Sequence, residues 1–173
     1  TALLAALAGG LDEGKKALGG GRVDERSRTF ATYALGLVGH HTRRPSERTF
    51  VVEHLLGVAE ANAKDTELAA AAIISVGWAP LPFDIPESGD VTPPGGQQAT
   101  VRRLLALFDG EDTDLRARSQ APVAIARLVR ARVGSPTSSH DALAVAAARE
   151  ELRHDLLKRF TSALATRGGE KNA

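Results

Sequence analysis

The sequence has no cysteine and no methionine, a single tryptophan, a single tyrosine, and aromatic residues at only 4%. Without cysteine there is no disulfide, no thiolate nucleophile and no cysteine-held zinc or iron–sulfur site. Cysteine-free chains occur on both sides of a membrane, so the compartment stays open. An excess of one charge is missing too. Lys and Arg number 22 against 21 Asp and Glu, a formal charge of +1, so no global field draws the chain to nucleic acid or an anionic membrane, and any such binding has to be local. No apolar run is long enough to span a bilayer; the apolar opening 1–11 lacks a basic flank and reads as a helix rather than a signal segment. The chain starts at Thr1 and contains no Met, so these residues are expected to be a processed or trimmed piece of a longer product.

What is present is 173 residues, 43% hydrophobic and 25% charged, the profile of one soluble globular domain with a sizeable core. Ala and Leu dominate and no stretch alternates as a strand does, which predicts an all-α fold. Helix-period segments cover 1–18, 24–39, 47–62, 66–77, 97–109, 114–133 and 138–165, predicting seven helices. Asp24, Ser46, Asp65 and Ser135 are candidate N-caps, Pro136 suits a first helical turn, and Gly39, Gly77 and Gly134 mark exits. Arg far outnumbers Lys, which suggests a GC-rich genome.

The chain also repeats itself. Ala31, Ala34, Leu35 and Val38 match Ala69, Ala72, Ile73 and Val76 at a spacing of 38 residues, and Ala121, Ala124, Ile125 and Leu128 at 90. Val52, Leu55, Leu56 and Val58 match Val101, Leu104, Leu105 and Leu107 at 49, so two helix types alternate. A helical pair that cannot bury its apolar face alone stacks on its neighbours and shares one core with them. The pattern Asp24, Arg28 and Ala34-Leu35-Gly36-Leu37-Val38-Gly39 resembles the HEAT-repeat family. Asp114, Arg118, Ala124 and Ile125 follow it less completely, with Ala126 in place of the Gly. Asn62 and Thr66 take the Asp and Arg positions of the middle repeat, so a ladder of Asp to Arg contacts is expected to be interrupted there. The resemblance covers residues 1–134. It implies a right-handed α-solenoid of about three HEAT-like hairpins, in repeats 1–40, 46–78 and 97–134, with the C-terminal helix 138–165 as a cap or as a seam for another chain. On that helix Leu152, Leu156, Leu157, Phe160 and Leu164 share a face, and Glu150, Arg153, Asp155 and Arg159 are spaced for pairing.

Residues 78–96 hold Pro80, Pro82, Pro86, Pro93 and Pro94 and cannot form a regular helix. This long loop carries Trp78, Leu81, Phe83 and Ile85, enough apolar area to fold back on its own repeat or to contact a partner. Catalysis has no visible carrier: there is no G-x-S-x-G, no phosphate-binding glycine loop and no credible triad. His54, His140 and His154 lack metal-ligand spacing, and the acidic turn Asp109, Glu111, Asp112 and Asp114 lacks the order of a calcium loop and reads as a linker with an N-cap. No metal and no cofactor is expected. His40, His41, Arg43, Arg44 and Arg48 could hold a phosphate or carboxylate, though cations there more often complement a helix C-terminus. Arg116, Arg127 and Arg130 form a basic stripe that other repeats do not continue, which argues against nucleic acid.

In HEAT-like stacks the second helices line the concave surface, and repetition separates positions fixed by packing from those left free. One free stripe reads Tyr33, Leu37 and His40, then Ala71, Ser75 and Trp78, then Val123, Arg127 and Arg130. The expected function is a non-enzymatic scaffold that binds a protein partner through Tyr33, Leu37, His40, Ser75, Trp78, Phe83, Arg127 and Arg130. Alternatives are an enzyme resembling the HEAT-like phycobilin lyases or DNA glycosylases, and an inert structural segment of a larger assembly that self-associates or joins further repeats.

Overall fold

A computed structural model describes residues 1–82, 96–130 and 139–169, and among these every regular element is a helix. In order they are α1 (Ala2–Gly9), α2 (Asp12–Ala17), α3 (Glu25–His41), α4 (Pro45–Ala61), α5 (Thr66–Val76), α6 (Gln97–Asp109), α7 (Leu115–Arg118), α8 (Ala121–Arg130) and α9 (Ser139–Gly169). Three starts are fixed by a carboxylate that accepts from exposed N–H groups: Ser27 N donates to Asp24 Oδ1 at 2.8 Å, Leu68 N to Asp65 Oδ1 at 3.0 Å, and Arg116 N to Asp114 Oδ1 at 2.8 Å. Ser46, by contrast, is not a cap. Pro45 already occupies the first turn of α4, where its missing N–H costs nothing, and Arg44 stands at the cap position.

Two of the expected helices are each broken in two. The segment 1–18 stops at Gly10, whose φ of 65° lets Gly10 N and Leu11 N turn back to Leu7 O and Ala6 O. Beyond it α2 folds onto α1 so closely that a Cβ at Gly14 would stand 2.8 Å from Ala6 O. The segment 114–133 breaks between α7 and α8 at Ser119 and Gln120, where Pro122 falls in the first turn of the second piece, the one helical position proline tolerates. Gly39 is not an exit either. It lies inside α3, where a Cβ would stand 2.8 Å from Val51 Cγ1 on α4. Gly77 does end α5, in a right-handed conformation, and its lack of a side chain serves close approach, since a Cβ there would meet Ala124 Cα at 2.7 Å. Gly134, Ser135 and Pro136 lie outside the described residues.

Packing joins sequence neighbours. α3 lies against α1 and α5, and α5 against α7 and α8. In a second row α4 packs on α3, α5 and α6, while α6 packs on α8. The repeated positions fall into one core: Ala31, Leu35, Ala69, Ala72, Ile73, Val76, Ala121, Ala124, Ile125 and Leu128 are buried together with Val52, Leu55, Leu56, Val101 and Leu104. Val38 packs on the edge of that core and Ala34 is half-buried. Full burial of each Leu or Ile contributes about 1.5–3 kcal/mol.

At Asn62 the Asp to Arg ladder has no ion pair, as expected, but a hydrogen bond stands in its place: Arg28 Nη2 donates to Asn62 Oδ1 at 3.1 Å, and its Nε to Ala8 O at 3.1 Å, because an amide oxygen still accepts. At the start of α7, Asp114 N donates to Ala63 O at 2.9 Å, just before α5. Across the outer row, Arg103 reaches Glu53 at 2.6 Å and Glu60 at 2.7 Å, joining α6 to α4.

α9 rests on α6 and α8 through Leu156, Leu152 and Phe160, whose ring meets Phe108 edge-on at 5.4 Å, and Arg159 pairs with Asp109 of α6. Leu157 departs from the expected shared face and is 63% exposed; the side chain of Leu164 lies outside those described. Among the described residues no helix is long and apolar enough to cross a membrane.

Candidate functional site

The nominated residues divide into three groups. Tyr33 and Trp78 meet with ring centroids 5.9 Å apart and planes at 33°, and His40 Nδ1 lies 2.9 Å from Trp78 O. A carbonyl only accepts, so the imidazole donates from Nδ1. Trp78 is thereby held at the C-terminal end of α5 by two residues of α3 spaced seven apart. Leu37 lies between them along α3 and is 51% exposed, so these four side chains form one surface.

Ser75 belongs elsewhere, which corrects the expected stripe. Ser75 and Ala71 are fully buried because α5 is enclosed between α3 and α8, and a Cβ at Gly36 would stand 2.5 Å from Ser75 Cβ. The hydroxyl of Ser75 has no partner among the described residues, which suits a small packing residue more than a binding group. Arg127 and Arg130 occupy the last turn of α8 and are exposed, beside the half-exposed Val123. Phe83 and most of the proline-rich loop, including Ile85, Pro86, Pro93 and Pro94, lie outside the described residues; Leu81 at its start is fully buried.

The stripe extends further along α3 than the sequence reading took it. Phe30 is 61% exposed, and the Arg26 guanidinium sits 5.6 Å from its ring centroid. The signal was present in the spacing: Phe30 precedes Tyr33 by three residues and Arg26 precedes Phe30 by four, the same helical face. Comparison with the next repeat hid it, because the position equivalent to Phe30 is Leu68, which is core.

The basic cluster after α3 also divides. Arg48 donates to Gly39 O and Thr42 O, so it serves the helix C-terminus as the plainer reading held. The hydroxyls of Thr1 and Thr42 donate to Glu47 and hold its carboxyl below the usual range. His41, Arg43 and Arg44 remain exposed. Among the described residues no three of His, Cys, Asp and Glu gather as metal ligands would. A shallow hollow lined by His154, Leu157, Lys158 and Thr161 belongs to one face of α9 and shares no residue with the surface on α3.

Comparison with protein-family models, with curated proteins and with solved structures finds no match. The surface is a long apolar and aromatic line on α3, closed at one end by Trp78 and followed by cations.

Proposed function

We propose that the chain is a stack of HEAT-like helical hairpins, an α-solenoid, that binds a protein partner along α3 and the neighbouring ends of α5 and α8. The observation that carries this reading is the exposure of Phe30 and Leu37 on the same face as the Tyr33–Trp78 pair. An exposed apolar patch rimmed by polar residues marks an interaction site, and Trp, Tyr and Arg are the side chains most enriched in interface hot spots. The repeat reading is supported by the common burial of equivalent positions and by the contact of Arg28 with Asn62.

Trp78 is the only tryptophan, so its emission reports on this surface alone. A partner that docks there shifts the emission of the wild-type chain. Leu37→Asp changes an exposed residue and leaves the helical circular dichroism intact, yet weakens binding by about 2 kcal/mol, roughly thirtyfold. Proteins retained from a lysate of the source organism by the wild-type chain and lost with Leu37→Asp identify the partner; equal retention by both overturns the reading.

A further inference from the structure

The three capping carboxylates and a set of exposed cations lie toward opposite ends of the helices, although Arg26, Arg28, Lys64, Arg116 and Arg118 stand among the caps. α3 and α5 run parallel, since Arg28 meets Asn62 just before α5 and His40 meets Trp78 just after it. α5 and the α7–α8 pair run parallel as well, since Asp114 N meets Ala63 O just before α5 and Gly77 meets Ala124. Asp24, Asp65 and Asp114 therefore cap one end of the helices, while His40, His41, Arg43 and Arg44 at the close of α3 and Arg127 and Arg130 at the close of α8 lie toward the other.

Helix ends alone favour some of this arrangement, because carbonyl dipoles attract cations. Arg48 shows what that role looks like: it is half-buried and bonded to two terminal carbonyls of α3. Arg43, Arg127 and Arg130 differ, being exposed and forming no hydrogen bond or ion pair with any described residue. Arg127 and Arg130 lie three and six residues beyond Ala124, about 4.5 and 9 Å along the axis, which brings them level with Trp78 or past it. With neighbouring axes roughly 8–10 Å apart, the ends of α3 and α8 are about 20 Å apart. An extended peptide of about six residues spans that distance.

We propose that this basic end, with Leu37 and the Tyr33–Trp78 pair as its apolar part, binds an acidic peptide segment that carries an apolar anchor side chain. The proposal rests on the docking reading above and adds the chemistry of the partner. The apolar contact gives the anchor a seat, and the unpaired guanidinium groups select carboxylates on either side of it. Single-stranded nucleic acid fits less well: the Trp78 ring is packed on Tyr33 instead of standing free for a base, and α5 supplies no cation between α3 and α8.

The test uses a fluorescent peptide of about twelve residues, twice the estimated span, in which Asp and Glu surround one Leu and one Phe. Its counterpart with every acid replaced by the amide, and an oligothymidylate of equal length, are measured beside it. The acidic peptide is expected to bind about tenfold more tightly than the amide form, and to weaken severalfold between about 50 and about 200 mM salt. Arg43→Glu with Arg127→Glu and Arg130→Glu is expected to remove that preference while helical circular dichroism and cooperative melting persist, the melting temperature falling only by the small loss of cations at the end of α8. Equal binding of acidic and amide peptides, no binding of either, or tighter binding of the oligonucleotide overturns the proposal. Partner capture lost with Leu37→Asp but untouched by the charge reversals overturns the acidic assignment and leaves the docking reading standing; capture unchanged by either set overturns both.

Discussion

Gly36 and Gly57 both sit inside helices, and replacing each by Ala has opposite expected effects. A Cβ at Gly36 would press into Ser75 at 2.5 Å and near its Cα at 3.0 Å, so Gly36→Ala overpacks the α3–α5 contact and costs about 1–3 kcal/mol. Nothing lies within 4 Å of a Cβ at Gly57, so Gly57→Ala only removes backbone freedom and stabilises by about 0.5–1 kcal/mol. Thermal melts of the two variants should move in opposite directions, and a fall for both would show that α4 needs Gly57 for another reason. The contrast also marks what sequence could say about single residues. The role of Asp24 and Asp65 as caps was readable because a cap is a local affair. The role of Gly39 and the burial of Ser75 were not, because each depends on how near a neighbouring helix lies, and small side chains look alike whether they line a surface or fill a seam.

Helix existence was read well and helix continuity less so. The apolar period of 1–18 runs straight through Gly10, and that of 114–133 through Ser119 and Gln120, because periodicity counts faces and does not register a change of axis. Pro122 was the missed warning: proline belongs in a first turn, so a helix containing it had to begin just before it. Contact between elements was out of reach altogether. No pattern in the chain announces that Arg103 of α6 bridges Glu53 and Glu60 of α4, where the Glu60 carboxylate, its main partner, raises the arginine's affinity for its proton. These groups are partly exposed, so the bridge is screened and its loss is modest. Arg103→Met is expected to lower stability by about 1 kcal/mol in dilute buffer and by less in high salt, while retaining the stem that covers α4. A loss that does not change with salt would assign the effect to packing.

For the whole molecule, the sequence conveyed the sharing of one core by equivalent positions and gave a net charge that concealed its distribution. Charge sums ignore direction, and only the parallel run of α3, α5 and α8 places the three capping carboxylates at one end and Arg127 and Arg130, which bond no described residue, toward the other. The caps make stability depend on pH. Hydrogen bonds from the Ser27 hydroxyl and backbone N–H lower the Asp24 pKa. At Asp114 burial is the largest single influence and pushes upward, but the N–H groups of Ala117 and Arg116, the Thr66 hydroxyl and the Arg116 charge together prevail and lower it. A carboxyl whose folded pKa lies below the ordinary value of about 3.9 stabilises the fold above that pH and ceases to do so as pH falls through the folded value. Melting temperature should therefore fall as the solution is acidified below about pH 4. Asp24→Asn with Asp114→Asn, which keeps capping oxygens that do not titrate, should flatten the curve; an unchanged acid slope would place its origin in other carboxylates.

The bond between Arg28 and Asn62 answers acid differently from these caps. Asn62 has no proton to gain, so its acceptor for Arg28 survives while Asp24 and Asp114 lose their anionic oxygens. Amides in the first turns of α3 and α7 should therefore exchange hydrogen sooner as the solution is acidified, before the seam between Arg28 and Asn62 gives way. Acid would fray this fold at its helix starts ahead of its seams.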